Sequence, residues 1–311
     1  SQHLHYSPDN GETWQLLSPD LTTNDPAKQK ANESGGLTFD ATMAENHTTL
    51  LAIAPSPLRR EVIWVGTDDG NVQVTQDGGK TWRNVAANLR GVPAGSWVPQ
   101  IRASRYAPGE ALVVVNNYRR DDWTPWIFRT RDYGATFERI FSEKDGEGYA
   151  LCVEQDPVEP RLLFAGTEFG LYVSVDGGAS WARYRHGYPT VSTYDLAIQP
   201  READLVIGTF GRAVWVLDDL RPLRTLAKEG RAATLDRTLR AYAAPDGHLA
   251  AVRQAPGLRF PADAVFAGQN RPFGVSLSYS VKEGRRAGPP PAKADSAART
   301  PARSEPATNR S

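Results

Sequence analysis

The side chains best equipped for chemistry are four acids, Asp68, Asp69, Glu168 and Asp195, and three cations, Arg119, Arg120 and Arg212, with Asn46, His47 and Asp121 beside them. Two carboxylates about 5–10 Å apart can cleave a glycosidic bond, one acting as acid and the other as base or nucleophile. Arginines facing the same space can clamp a carboxylate with two parallel hydrogen bonds. Each residue also has a plainer reading. Asp68-Asp69-Gly70 and Glu168-Phe169-Gly170 have the composition of ordinary hairpin turns. Arg119-Arg120-Asp121-Asp122-Trp123 reads as a solvated loop that pairs internally, and His47 as a capping or packing residue before an apolar strand. Arg212 is either a ligand clamp or the neutraliser of Asp218 or Asp219. No phosphate-binding loop, dinucleotide fingerprint, zinc cluster or Ser-His-Asp order is present, so neither cofactor nor metal is expected.

What must position these groups is a corner that recurs four times. Ser7 to Trp14, Thr75 to Trp82, Thr130 to Phe137 and Ser174 to Trp181 all read hydroxyl-x-Asp-x-Gly-x-hydroxyl-aromatic. In such a turn the carboxylate of Asp9, Asp77, Asp132 or Asp176 can accept hydrogen bonds from its own loop, and Gly supplies positive φ. The aromatic, Trp14, Trp82, Phe137 or Trp181, then begins the next strand and fills the gap between neighbouring sheets. One identical Asp per repeat points to a structural task done once per repeat.

Between the corners lie short apolar strands. Residues 50–85, 101–140, 151–184 and 194–217 each carry strand runs separated by turn signals, and residues 3–17 supply the back half of a further unit. Four-stranded antiparallel units repeated in this way predict an all-β fold, a β-propeller of about four and a half blades whose ring is incomplete, across residues 1–220. The polar stretch 18–46 is expected to be a long inter-blade loop. Residues 221–282 follow, with helical periodicity from Leu223 to Leu239 and a strand-like run from Phe273 to Ser280. Residues 283–311, rich in Pro, Ala, Ser and Arg, are expected to be disordered. The chain opens at Ser1 within a repeat, so missing N-terminal blades of the same protein are an expected partner.

Charge narrows the partners. Thirty-six basic and 36 acidic side chains cancel, so no overall field recruits nucleic acid or an anionic membrane. No apolar run approaches the roughly 18 residues of a membrane span. The one cysteine, Cys152, sits in the apolar run Leu151-Cys152-Val153 and is expected to be buried.

The corners resemble the Asp-box, or bacterial neuraminidase repeat, of sialidases, xyloglucan-active glycosidases and the sortilin ectodomain. The runs 62–70, 163–170 and 208–219 further resemble the last blades of bacterial sortilin-like proteins labelled glycosyl hydrolases. The resemblance covers roughly residues 3–220 and implies a periplasmic or secreted protein followed by a fibronectin-like β domain, to which Pro272–Ser280 would belong. It also implies a site on the face opposite the boxes, where the candidate acids and arginines form a mixed-charge rim and Arg212 points to the central channel. Two functions remain open: a non-catalytic binder of a peptide or glycan on that face, and a glycoside hydrolase of sialidase or endoglucanase type.

Overall fold

The computed structural model describes residues 1–30, 47–247 and 274–282. Its strands form antiparallel sheets taken in chain order. Strands β1 (His5–Tyr6) and β2 (Gln15–Leu16) make a short pair across the first corner. The first full sheet is β3 (Leu50–Pro55), β4 (Ile63–Thr67), β5 (Val72–Thr75) and β6 (Arg83–Asn84). The second is β7 (Trp97–Ala103), β8 (Ala111–Asn117), β9 (Asp122–Thr130) and β10 (Glu138–Phe141), and the third is β11 (Ala150–Gln155), β12 (Leu163–Thr167), β13 (Gly170–Ser174) and β14 (Ala182–Tyr184). The fourth has three strands, β15 (Thr193–Gln199), β16 (Asp204–Thr209) and β17 (Val214–Leu217).

The three strands of the fourth sheet fall on the three strand runs of residues 194–217. No corner sequence follows β17, and after Asp218-Asp219 the chain turns into helices α1 (Arg221–Glu229) and α2 (Arg231–Leu235), which overlap the expected helical stretch from Leu223 to Leu239, α1 starting two residues before it. Two short strands, β18 (Leu239–Ala241) and β19 (Tyr279–Val281), then pair with each other. Asn46, the end of the inter-blade loop and the 283–311 tail lie outside the described residues.

The first strands β3, β7, β11 and β15 neighbour one another in that order, so each sheet presents its first strand inward and its last outward. Sheet-to-sheet burial explains the composition of the strands. Every residue of β8 is buried, because the second sheet is covered on both faces and its central strands have no solvent side. In β3 only one face is covered: Ala52 and Ala54 are buried while Leu51 and Ile53 are exposed. Four apolar clusters occupy the gaps between successive sheets, and α1 closes the last of them with Leu223 and Ala227.

The four corners are built alike. Asp77 accepts the Thr75 hydroxyl at 2.8 Å, the Thr81 amide at 2.9 Å and the Thr81 hydroxyl at 2.6 Å, and Asp9, Asp132 and Asp176 repeat this set on their own loops. These donors hold each carboxyl below its usual range, Asp77 at about 2 chiefly through the Thr81 hydroxyl. Each corner in the full sheets also bonds the turn between strands one and two of its own sheet, through Gly78 to Glu61, Tyr133 to Gly109 and Gly177 to Arg161. The corners therefore share one end of the sheets, and turns β4–β5, β8–β9, β12–β13 and β16–β17 share the other.

Candidate functional site

At the end opposite the corners, every innermost strand is irregular at the same place. The pairing of first with second strand shifts register between Leu50 and Ala52, Trp97 and Gln100, Ala150 and Cys152, and Thr193 and Asp195. A bulge adds a residue to one strand and turns its side chain out of the regular alternation. The residues so displaced include Leu51, Pro99, Leu151 and Tyr194, and all four line one cleft of about 660 Å³. Four sheets thus each contribute one bulged residue to a shared wall.

The cleft also takes Asp68, Trp97, Gln100, Arg102, Asn116, Tyr118, Arg119 and Asp195. Of the sequence-predicted residues it gathers Asp68, Arg119 and Asp195, one from each of three different sheets. Asp68 is buried and accepts the Thr49 amide at 2.7 Å and the Thr49 hydroxyl at 2.8 Å. Burial raises its pKa, with the Thr49 hydrogen bonds opposing. His47 lies behind it with Nδ1 3.8 Å from Asp68 Oδ1, and burial lowers the imidazole pKa while Asp68 pulls the other way. Among the described residues neither ring nitrogen of His47 has a hydrogen-bond partner, and the ring packs beside Trp97.

Asp69 goes elsewhere. Its carboxylate accepts the Thr23 amide, the Thr23 hydroxyl and the Thr67 hydroxyl, which ties the segment after Ser18 to the first sheet. Glu168, on the turn between β12 and β13, is half-buried beside Gly148 and is not part of the cleft wall. Burial raises its pKa, and among the described residues its Oε2 has no hydrogen-bond partner. Arg212 is exposed on the β16–β17 turn, where its carbonyl accepts the Trp215 indole N–H, while Asp219 takes its cation from Arg221 at 2.7 Å.

The loop from Arg119 to Asp122 differs from the expected internal pairing. The Arg119 guanidinium lies 5.0 Å from the Trp97 ring centre and 4.6 Å from that of Tyr118, and Arg120 lies 5.3 Å from Trp97. Arg120 also donates to the Ala94 carbonyl. Asp121 sits at φ 57° closing a short turn, and Asp122 accepts the Thr124 amide. A flat, delocalised cation stacks on a ring without shedding its in-plane donors, so Trp97 outcompetes the adjacent acids. The stack continues outward, with Tyr118 on Tyr149 at 4.2 Å and Trp123 tilted on Tyr149 at 5.6 Å.

Three residues outside the sequence-predicted set meet beneath the cleft: Gln100 and Arg102 line it, and Glu154 lines the neighbouring pocket that shares Arg102. Arg102 on β7 reaches Asp195 on β15 through Nη2 at 3.2 Å and Glu154 on β11 through Nε at 3.1 Å. Gln100 donates to Asp195 at 3.3 Å and accepts the Val153 amide at 2.7 Å. Burial pushes the Glu154 carboxyl up to about 7, with the Arg102 charge holding it back. Their signal in the sequence is a charged or amide side chain set inside an otherwise apolar first strand, as in Ile101-Arg102-Ala103 and Val153-Glu154-Gln155.

Neither a protein-family model nor a curated protein matches the chain. Solved structures do. A GH74 xyloglucanase from Xanthomonas campestris shares 18% identity over 71% of this chain and 34% of its own, with a TM-score of 0.50. The fold is a β-propeller. An ancestral GH74 enzyme (16% identity, 67% of this chain, 25% of that chain, TM-score 0.48) and YCF48 bound to D1 peptide (15%, 55%, 51%, 0.39) are further matches. This propeller chain spans a quarter to a third of the length of the two GH74 structures. At these identities the likeness bears on fold alone.

Proposed function

We propose that this chain is the ligand-binding part of an exported, sortilin-like propeller that takes a peptide or glycan into the cleft opposite the corners, without cleaving it. The observation that carries the reading is the convergence of four strand bulges on one cleft, which a purely structural repeat has no need of. The cleft offers what an extended polar ligand needs: the exposed ring of Tyr194 for stacking, the planar Arg119 and Gln100, and the carboxylate of Asp195. Its acids argue against turnover, since Asp68 is tied into Thr49 and Asp195 to Arg102 and Gln100. The resemblance of the corners to Asp-box proteins supports an exported location. The test is binding to a glycan array and a peptide library, with Tyr194→Ala and Arg119→Ala compared with the parent chain. Retained ligand and unchanged affinity in both variants would refute the cleft as the site.

One observation favours the second reading, a glycoside hydrolase. Glu154, its carboxyl pushed up to about 7 by burial, and the carboxyl of Asp195 flank a single guanidinium, two acids held apart by Arg102. Release of reducing sugar from xyloglucan or a sialoside, lost in Glu154→Gln, would replace the binding reading with this one.

A further inference from the structure

Two pockets between the first strands meet at one side chain. Arg102 lines the cleft of about 660 Å³, and it also lines a second pocket of about 240 Å³ that reaches Pro55 at the corner end of β3. Asp195 belongs to the cleft and Glu154 to the second pocket. The Arg102 guanidinium joins them, with Nε 3.1 Å from Glu154 Oε2 and Nη2 3.2 Å from Asp195 Oδ1. One cation is thus divided between an acid that faces the cleft and an acid hidden beneath it.

What the cleft leaves unspent is mainly acceptor capacity. Among the described residues Asp195 is bonded through Oδ1 alone, by Arg102 and Gln100, and its side chain is 68% exposed. Asn116 lines the same cleft and is 2% exposed. Its Nδ2 donates to the Ala150 carbonyl, while its Oδ1 accepts nothing among the described residues. A buried acceptor without a partner is costly, so it calls for a donor in whatever fills the cleft. Arg119, the other cation of the wall, faces the rings of Trp97 and Tyr118. Leu51, Pro99 and Leu151 add an apolar surface on which the methylene stem of a long cationic side chain can lie.

On the reading of the cleft as the binding site, we infer that Asp195 takes the ammonium group of a lysine in a peptide ligand, and that Glu154 sets the strength of this hold through its share of Arg102. Burial pushes the Glu154 carboxyl up to about 7. Below that pH Glu154 is neutral and Arg102 is left to Asp195 alone, which weakens the pull of Asp195 on a second cation. Above it Glu154 draws on Arg102 and the trio gains one negative charge, so an ammonium in the cleft is held more tightly. Around Glu154, Arg102 and Arg105 from β7 and the turn after it hold the carboxyl down, while Asp195 from β15 and Asp156, just past the end of β11, push it up. The flanking β3 brings only Ile53, Ala54 and Pro55 to the pocket, and β12 sets Phe164 opposite Glu154.

The probes are lysine and norleucine, each capped as the N-acetyl methylamide, titrated by NMR into the 311-residue chain at pH 6 and pH 8, where the lysine ammonium stays charged. Norleucine keeps the stem and drops the charge. At pH 8 the lysine probe should bind about 10-fold or more tightly than norleucine. It should also bind about 3- to 10-fold more tightly at pH 8 than at pH 6, the effect of one charge appearing roughly 7 Å away in a partly wet site. Glu154→Gln should abolish the pH difference at the weaker, pH 6 affinity, and Asp195→Asn should abolish the preference for lysine. Equal affinity for the two probes, or binding of neither, overturns the lysine ligand; because both are read on the parent chain, a variant that folds poorly does not blunt this result. A pH difference that survives in Glu154→Gln overturns the control by Glu154. Hits on the glycan array or peptide library that are lost in Tyr194→Ala and unchanged in Asp195→Asn would keep the cleft as the site and sink this inference alone.

Discussion

Arg224 Nε lies 2.9 and 3.0 Å from the two oxygens of the wholly buried Asp156 carboxylate, and this pair fastens helix α1 to the turn between β11 and β12. Asp156 Oδ1 also accepts the amides of Val158 and Glu159, so one acid organises both the turn and the helix dock. Removing Arg224 as Arg224→Met strands a charge in the interior and should cost about 3–5 kcal/mol. Adding Asp156→Asn should recover part of that loss, since the stranded charge goes with it. Urea unfolding of the two singles and the double decides; a loss below about 1 kcal/mol in Arg224→Met would mean the pair is screened by water.

The corners make a pH prediction with a definite sign. The folded pKa of Asp77 is depressed to about 2, so its contribution is present above the ordinary carboxylate range and is lost as pH falls from there toward 2. Asp77→Asn should flatten the acid side of the melting-temperature profile, and Thr81→Val should do the same, because the Thr81 hydroxyl is the chief cause of the shift. An acid limb unchanged by both substitutions would remove the corner carboxylates from the stability account.

Glu154 predicts the opposite slope. Its folded pKa of about 7 lies above the unfolded value, so between about 4.5 and 7 the folded state binds the extra proton and stability falls as pH rises. Glu154→Gln should remove this decline across that window while leaving the acid limb of Asp77 in place. Thermal melts from pH 4 to pH 8 would show it, and a decline that persists in Glu154→Gln must come from another group.

Gly166 on the third sheet packs closely against Thr193 of the fourth. A Cβ there would lie 2.5 Å from both Cys152 Sγ and the Thr193 carbonyl, so Gly166→Ala should cost about 1–3 kcal/mol, since backbone and a buried sulfur have little room to yield. Cys152 supplies its own reporter: burial pushes its thiol pKa far up, and it should resist thiol reagents in the native parent chain. Faster modification in Gly166→Ala, at a rate matching its lost stability, would confirm that the two sheets part there. An unchanged rate together with an unchanged melt would show that the sheets slide to accommodate the methyl.

Much of the fold was legible because its signals are local. The Asp, Gly and hydroxyl residues of a corner bond one another within eight positions, so Asp9, Asp77, Asp132 and Asp176 could be assigned their structural task from spacing alone. The end of the arc was legible in the same way, since no corner sequence follows Leu217. The candidate site was legible only in part. Asp68 and Asp69 are adjacent and alike in sequence, yet one lines the cleft and the other holds Thr23.

By itself, then, the sequence determined the repeating unit, the antiparallel sheets and the end of the sheets at which loops are free to carry a ligand. Only the tertiary structure decided which side chains meet. Arg102, Glu154 and Asp195 are joined across three sheets although Arg102 and Asp195 are 93 residues apart, and the bulges that aim Leu51, Pro99, Leu151 and Tyr194 into one cleft leave no mark in residue type. The reason is physical: a turn is set by hydrogen bonds among neighbours along the chain, whereas a cleft at the axis is set by the twist and stacking of whole sheets.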